Sequence, residues 1–202
     1  MAVIASGCKT ILRDRLSSDA DAFIHWRTHG EWRLLDAPWQ GVRNSLTSQE
    51  EARLREQFLA SCAEQPSPRK MAIIAMTDGR PLGWVNRYDE SHSSDTLMVG
   101  IDIGEDNALN RGFGTEALGL WVDYLFSNMG VHRIGLDTWS FNPRAIRVAE
   151  KLGFVQEGAQ REVLQWEGRW LNLIHFGMLR AEWEEKRGLP ARTKRRHHRS
   201  GE

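Results

Sequence analysis

The sequence holds only two cysteines, Cys8 and Cys62, without paired metal-ligand spacing and with no His/Cys cluster beside either. A disulfide framework and a structural zinc site are therefore excluded as organising devices. Long apolar runs are also missing. Nothing approaches the roughly 18 consecutive apolar residues of a membrane-spanning helix, and the opening stretch MAVIASGCKTILRDRL carries an apolar patch without a basic leader. These absences point to a cytoplasmic chain with no membrane partner. An excess of either charge is absent too, with 27 basic and 27 acidic residues. Seven of the basic residues fall after Glu185 against Glu202 alone, which leaves the body with 20 positive and 26 negative charges, a net of −6. Such a body does not suit nucleic acid, which only the basic end would attract. An acidic surface suits an amine-bearing partner, and it is equally what a solvated face looks like. No internal repeat is visible.

What is present is ample for one core: 202 residues, 41% of them hydrophobic, with nine tryptophans. The expectation is a single domain over residues 1–185 and a basic, mobile tail over 186–202. Thr10–Leu16 has strand character, and Ser18-Asp19 caps a helix through Phe23, Ile24 and Trp26. A tryptophan-rich loop spans Gly30 to Leu46. Thr47-Ser48-Gln49-Glu50 is a capping box that starts a second helix with Leu54, Phe58, Leu59 and Cys62 on one face. Met71–Met76 and Leu82–Tyr88 flank Asp78-Gly79 as a hairpin, so the front of the sheet is antiparallel. Leu97–Ile103 is the next strand, Thr115–Asn128 an amphipathic helix and Arg133–Trp139 a strand, parallel to its predecessor through a right-handed crossover. Asn142-Pro143 caps a helix that Gly153 ends, and Phe154–Trp166 with Trp170–Leu179 form a closing hairpin about Glu167-Gly168.

The stretch LMVGIDIGEDNALNRGFGTEA carries the chemistry, because an apolar strand there feeds a loop that delivers Gly112-Phe113-Gly114 onto a helix. Glycines at 112 and 114 allow φ > 0 and close approach of the backbone to a ligand. The free N–H groups and positive dipole end of the helix attract an anion, a pyrophosphate being the natural guest. A plain glycine turn into a helix has the same appearance. Gly112-x-Gly114-x-x-Ala117 with Asp137 also fits the dinucleotide fingerprint of a nicotinamide oxidoreductase. Four strand candidates before the loop, about eight residues between Ile103 and Gly112, and a closing hairpin all count against that alternative.

The order strand, two helices, antiparallel strands, glycine loop, helix, strand, Asn-Pro helix and hairpin resembles the GNAT superfamily of acyl-CoA-dependent N-acetyltransferases. GFGTEAL at 112–118, NPRAIRVAEKLGF at 142–154, Glu157-Gly158, EGRWLN at 167–172 and MLRAEW at 178–183 are similar to the branch that includes the ribosomal-protein alanine N-acetyltransferases. The resemblance implies an α/β (α+β) fold, a mixed, mainly antiparallel central sheet flanked by helices with a splayed central strand pair. It implies acetyl-CoA as acyl-donor cosubstrate, with no metal. The family's phosphate loop falls on Leu109, Asn110, Arg111, Gly112, Phe113, Gly114 and Thr115, with Leu109 where Gln or Arg is usual. Ile101, Asp102 and Ile103 match the splayed strand that pairs with the pantetheine arm, and Asn142 matches a cofactor-contacting asparagine that is also an ordinary helix cap.

Acetyl transfer to an amine needs a neutral nucleophile, stabilisation of an oxyanion and a fate for the leaving thiolate. A primary amine of pKa about 10.4 is only ~0.04% neutral at pH 7, so a carboxylate or a water held by one serves as proton acceptor. The tyrosine that donates to the thiolate in many relatives is replaced by Ala149, and the strand position where relatives often carry Glu is Met98. Asp102, Ser140 and Asn142 are therefore the catalytic candidates. Trp26, Trp32, Asp36, Trp39 and Asp137 are candidates for the acceptor site, aromatic faces with carboxylates suiting a cationic amine, although core packing explains tryptophans equally well. His25 and His29 at i, i+4 have no third ligand and read as a plain helix face. The acceptor is a small amine or a protein N-terminus. A non-catalytic acyl-CoA-binding module and an interaction protein acting through the tail are the alternatives, and a homodimer is compatible with the pattern.

Overall fold

The computed structural model describes residues 2–40, 44–89 and 95–189. Among these, eight strands form one sheet in the order β1-β2-β3-β4-β5-β6-β8-β7. The strands are β1 (Val3–Ser6), β2 (Thr10–Arg13), β3 (Met71–Met76), β4 (Pro81–Asp89), β5 (Thr96–Ile103), β6 (Arg133–Trp139), β7 (Val155–Trp166) and β8 (Arg169–Leu179). All neighbours are antiparallel except β5 and β6. The helices are α1 (Ala20–Thr28), α2 (Trp32–Leu35), α3 (Ser48–Ala63), α4 (Phe113–Asn128), α5 (Pro143–Leu152) and α6 (Arg180–Lys186).

One face of the sheet is sealed by α4. Phe113, Ala117, Leu118, Trp121, Val122, Leu125 and Phe126 recur at helical spacing and are all buried. They meet Val85, Val99, Ile134, Leu136, Phe176 and Met178 from alternating strand positions. Each large side chain so buried contributes roughly 1.5–3 kcal/mol. The opposite face is covered by α1 and α3 around Trp84 of β4. Its ring lies 5.8 Å from Phe23, 5.8 Å from Trp26 and 5.0 Å from Trp32.

The parallel pair β5/β6 is joined only at Thr96↔Arg133, Leu97↔Ile134 and Met98↔Gly135. Beyond Met98, β5 continues against β4 as far as Ile103, and β6 continues against β8 as far as Trp139. The centre of the sheet therefore opens into a wedge with unpaired backbone on both sides, the splay that the resemblance implied.

Several boundaries differ from the sequence expectation. The first strand stops at Arg13, whose guanidinium is buried in a two-bond pair with Asp19 at 2.7 Å each. The apolar patch before it is a strand, β1, paired antiparallel with β2. The tryptophan-rich segment contains α2 and a short 3-10 turn at Pro38–Gln40. The expected tail boundary lies inside folded chain: Lys186 closes α6 and donates to Leu152 O at 2.6 Å, while Arg187 pairs with Asp123. The rest of the basic stretch, 190–202, falls outside the described residues. Among the described residues, no helix is long and apolar enough to cross a membrane.

Candidate active site

The loop after β5 makes a 3-10 turn at Asp106–Ala108, passes through Asn110 at φ 59° and Gly112 at φ 87°, and enters α4. The left-handed conformation at Gly112 is one that glycine adopts without strain. Gly114 departs from the expectation, because it sits in the first turn of α4 and has no positive φ. Its missing side chain matters as space: a Cβ there would stand 3.6 Å from Ile103 Cγ1, in the wall of two cavities. The first intrahelical bond of α4 runs from Glu116 N–H to Gly112 O at 3.1 Å, so the amides of Phe113, Gly114 and Thr115 precede it and have no acceptor within the helix.

Glu116 clamps this loop to the β1–β2 turn. Its Oε1 accepts from Cys8 N–H at 2.7 Å, and its Oε2 accepts from the N–H groups of Lys9 and Thr10 at 2.9 and 2.7 Å and from the Thr10 hydroxyl at 2.7 Å. Burial alone would raise this carboxyl. The Thr10 hydroxyl and the three N–H groups outweigh it and hold the group below its ordinary value. Lys9 adds a bond to Arg111 O at 3.1 Å.

Three cavities adjoin along this path, each sharing lining residues with the next. One of about 240 Å³ lies against the loop and is lined by Leu109, Asn110, Gly112, Gly114 and Thr115 on one side and by Arg144, Arg147, Val148 and Lys151 of α5 on the other. A second, of about 320 Å³, fills the wedge between β5 and β6 and shares Ile103, Leu109, Gly114, Arg144 and Val148 with the first. A third, of about 600 Å³, opens on the α1–α3 face and shares Trp32, Asp36 and Asp102 with the wedge. Asp102 thus stands where the wedge meets the third cavity. Burial and then the negative charge of Asp36 raise its carboxyl, against the opposing charge of Arg27, to about 7. Asp36 is itself raised by burial. A carboxyl in this range exchanges protons near neutral pH.

The structure brings most of the sequence candidates into this channel. Ile101 and Ile103 line the wedge, and so do Asp137 and Asn142. Asn142 does both of the jobs considered for it, its Oδ1 accepting from Ala145 N–H at 3.1 Å as the helix cap while its Nδ2 reaches Leu35 O at 3.3 Å. Asp137 is held by His175 Nδ1 at 2.9 Å. Trp32 and Asp36 line both the wedge and the third cavity.

Other candidates lie elsewhere. Trp26 is fully buried and its indole N–H is spent on Glu105 Oε1 at 2.8 Å, so it is a packing residue and not an acceptor contact. Trp39 sits in a separate aromatic recess with Trp139, Phe141 and Trp166. Ser140 is exposed, and its Oγ accepts from Asn172 N–H at 3.2 Å, closing the end of the β6–β8 ladder outside the channel lining. Phe113 turns its ring into the core and Arg111 lies over that ring at 5.5 Å, so neither side chain lines the loop cavity. Ala149 is completely buried in the core, and no hydroxyl comes from that position. His25 and His29 stack with ring centres 4.0 Å apart, and His29 Nδ1 contacts the Thr28 hydroxyl.

Sequence reasoning missed the basic side of the channel. Arg144, Arg147 and Lys151 fall at i, i+3 and i+7 of α5, a stripe legible in NPRAIRVAEKL once both walls of the loop are known. Arg144 spends Nη2 on Glu31 at 2.6 Å, while its Nη1 is buried without a partner among the described residues. A buried orphan donor, two more cations, free helix amides and the bare Gly114 surface fit a polyphosphate. The apolar walls Ile101, Ile103, Leu109 and Val148 fit a slender arm leading from it into the wedge.

A loop lined by helix amides and cations, an open strand wedge and a carboxyl pair at its far end suit a coenzyme-dependent group transferase. A profile of the acetyltransferase (GNAT) domain family matches residues 9–155, and the chain belongs to that family. Its relatives include the SPbeta prophage-derived uncharacterized N-acetyltransferase YokL of Bacillus subtilis, 28% identical over 126 residues, 62% of this chain and 71% of that one. Another is the aminoglycoside N(6')-acetyltransferase type 1 of Klebsiella pneumoniae, 34% identical over 53% of this chain and little more than half, 57%, of that enzyme. In structure the chain is similar to RimL, a ribosomal L7/L12 alpha-N-protein acetyltransferase solved with coenzyme A. The TM-score is 0.68 at 15% identity, covering 88% of this chain and 98% of that one. Enzymes of this family use acetyl-CoA.

Proposed function

We propose that the chain transfers the acetyl group of acetyl-CoA to a primary amine by direct attack within a ternary complex. The observation that carries this reading is the run of adjoining cavities that share lining residues, from the α4 amides and α5 cations through the wedge to Asp102. The cosubstrate supplies the acetyl group as a thioester, activated toward nitrogen nucleophiles. The amides of Phe113, Gly114 and Thr115 with Arg144, Arg147 and Lys151 hold its phosphates, and the free edge of β5 beyond Met98 pairs with its extended arm as a strand pairs with an exposed sheet edge.

Asp102 takes a proton from the incoming ammonium, which its position beside the third cavity and its raised pKa both favour. The freed amine nitrogen then bonds to the acetyl carbon as the carbon–sulfur bond breaks; the second proton of that nitrogen passes through water to the departing thiolate as the amide forms, and Asp102 returns its own proton to solvent. Holding both reactants in one channel supplies much of the rate. Asn142 orients α5 against α2 and so keeps Arg144 over the wedge. Ser140, bonded to β8, supports the end of the β6–β8 ladder outside the channel.

The test is release of the coenzyme A thiol with a panel of amines. Native protein is expected to turn over at least part of the panel, and Gly114→Asp, which puts a carboxylate into the cradle, to lose at least about 100-fold in kcat/KM. Amine-independent release unchanged by Gly114→Asp would contradict the reading.

A further inference from the structure

Two of the three carboxylates of the third cavity stand where it meets the wedge. Asp36 and Asp102 lie at that junction, whereas Arg27 of α1, Arg33 of α2 and Arg53 of α3 line this cavity alone, with Glu50 and Gln57 of α3 and the Trp84 floor. Glu50 already serves the start of α3, its Oε2 accepting from Thr47 N–H and Oγ1 at 2.9 and 3.0 Å. Arg27 and Arg53 have neither a hydrogen-bond nor an ion-pair partner among the described residues. Away from the junction, three arginines face the single carboxylate of Glu50, so that part of the cavity carries more positive than negative charge. A field of that sign repels a polycation and draws in a molecule that brings its own anion.

We propose that the acceptor is a small primary amine with an anionic group, carboxylate or phosphate, at the end remote from the nitrogen. The amine sits at Asp36 and Asp102, and the anion sits between Arg27 and Arg53. The inference rests on the acetyltransferase reading and narrows it from amines in general to this class. It also narrows the expectation of an amine-bearing partner drawn from the acidic composition of the body, because charges that sum to −6 along the sequence are not distributed that way around this cavity.

The experiment compares matched acceptors with the full chain and acetyl-CoA: β-alanine, its neutral amide, diaminopropane and aminoethyl phosphate. Acetyl-CoA binding is titrated separately. The expected result is a kcat/KM for β-alanine or aminoethyl phosphate at least about tenfold above that of the amide and the diamine, and whichever of the two anions is preferred identifies the anion. The double variant Arg27→Ala/Arg53→Ala levels the series by raising KM for the anionic acceptors, the change in kcat from loss of the Arg27 charge on Asp102 being common to all four, and Arg27→Glu/Arg53→Glu turns the preference toward diaminopropane. Both side chains are exposed, so neither variant disturbs the core. Equal or better turnover of the amide or diamine by native protein, or a preference untouched by either double variant, overturns the inference. So does binding of acetyl-CoA without acetylation of any of the four. Failure to bind acetyl-CoA at all overturns instead the reading on which the inference rests.

Discussion

Asp102 is raised to about 7 by burial and by Asp36, so the side chain best placed to accept a proton is also one that folding penalises. As pH rises from 3.8 to about 7, the unfolded chain releases a proton that the folded chain keeps. Stability from this group is therefore full below 3.8, falls across that window and is lost above it. Asp102→Asn is expected to raise the thermal midpoint above pH 7, to leave it unchanged below 3.8, and to lower transfer by about 10²–10⁴-fold. The native kcat/KM profile should climb through a limb near pH 7 that the variant lacks. Thermal melts across pH and the pH–rate profile check both halves, and a variant as active as native at pH 8 would remove Asp102 from the chemistry. Glu116 obeys the opposite sign. Held below its ordinary 4.5 by its donors, it contributes stability above that value and loses it as pH falls through the folded-state pKa. Glu116→Gln turns an amide donor toward backbone N–H groups and is expected to cost about 1–3 kcal/mol at pH 7 by denaturant melt, a difference that closes below 4.5.

At the scale of elements, α4 and α5 divide the labour. α4 anchors its apolar face in the core and offers its first amides to the channel, so damage to the core and damage to the cradle are separable. Leu118 is fully buried, and Leu118→Ala is expected to cost about 2–5 kcal/mol in denaturant melts while leaving acetyl-CoA affinity near native in the protein that stays folded. The α5 stripe behaves in the reverse way. Arg147→Glu/Lys151→Glu alters side chains of the channel wall rather than the core. It is expected to weaken acetyl-CoA binding about 10–100-fold by calorimetry, with a shallower salt dependence than native, while the melting curve barely moves. An unchanged affinity would detach α5 from the cradle.

For the whole molecule, the elements legible in the sequence were those whose signals are local. The Thr47–Glu50 capping box, Asp78-Gly79, Asn142-Pro143 with Gly153, and Glu167-Gly168 each specify a turn or cap within a few residues, and each is found where expected. β1, with four residues, and α2, a single turn among tryptophans, owe their form to β2 and to the Trp84 cluster, and no local pattern announces them. The site divides in the same way. Gly112 and its loop are contiguous, whereas Arg27, Arg53 and Asp102 come from α1, α3 and β5 and meet only in the fold, and Trp26 shows which tryptophans are core only through its burial. The account stands on a single channel that runs from cradle to carboxyl pair, and calorimetric titration with acetyl-CoA, with NADH as control, tests it most directly. It predicts micromolar acetyl-CoA binding that Gly114→Asp abolishes and Asp102→Asn leaves intact; absence of acetyl-CoA binding, or binding indifferent to Gly114→Asp, would contradict it.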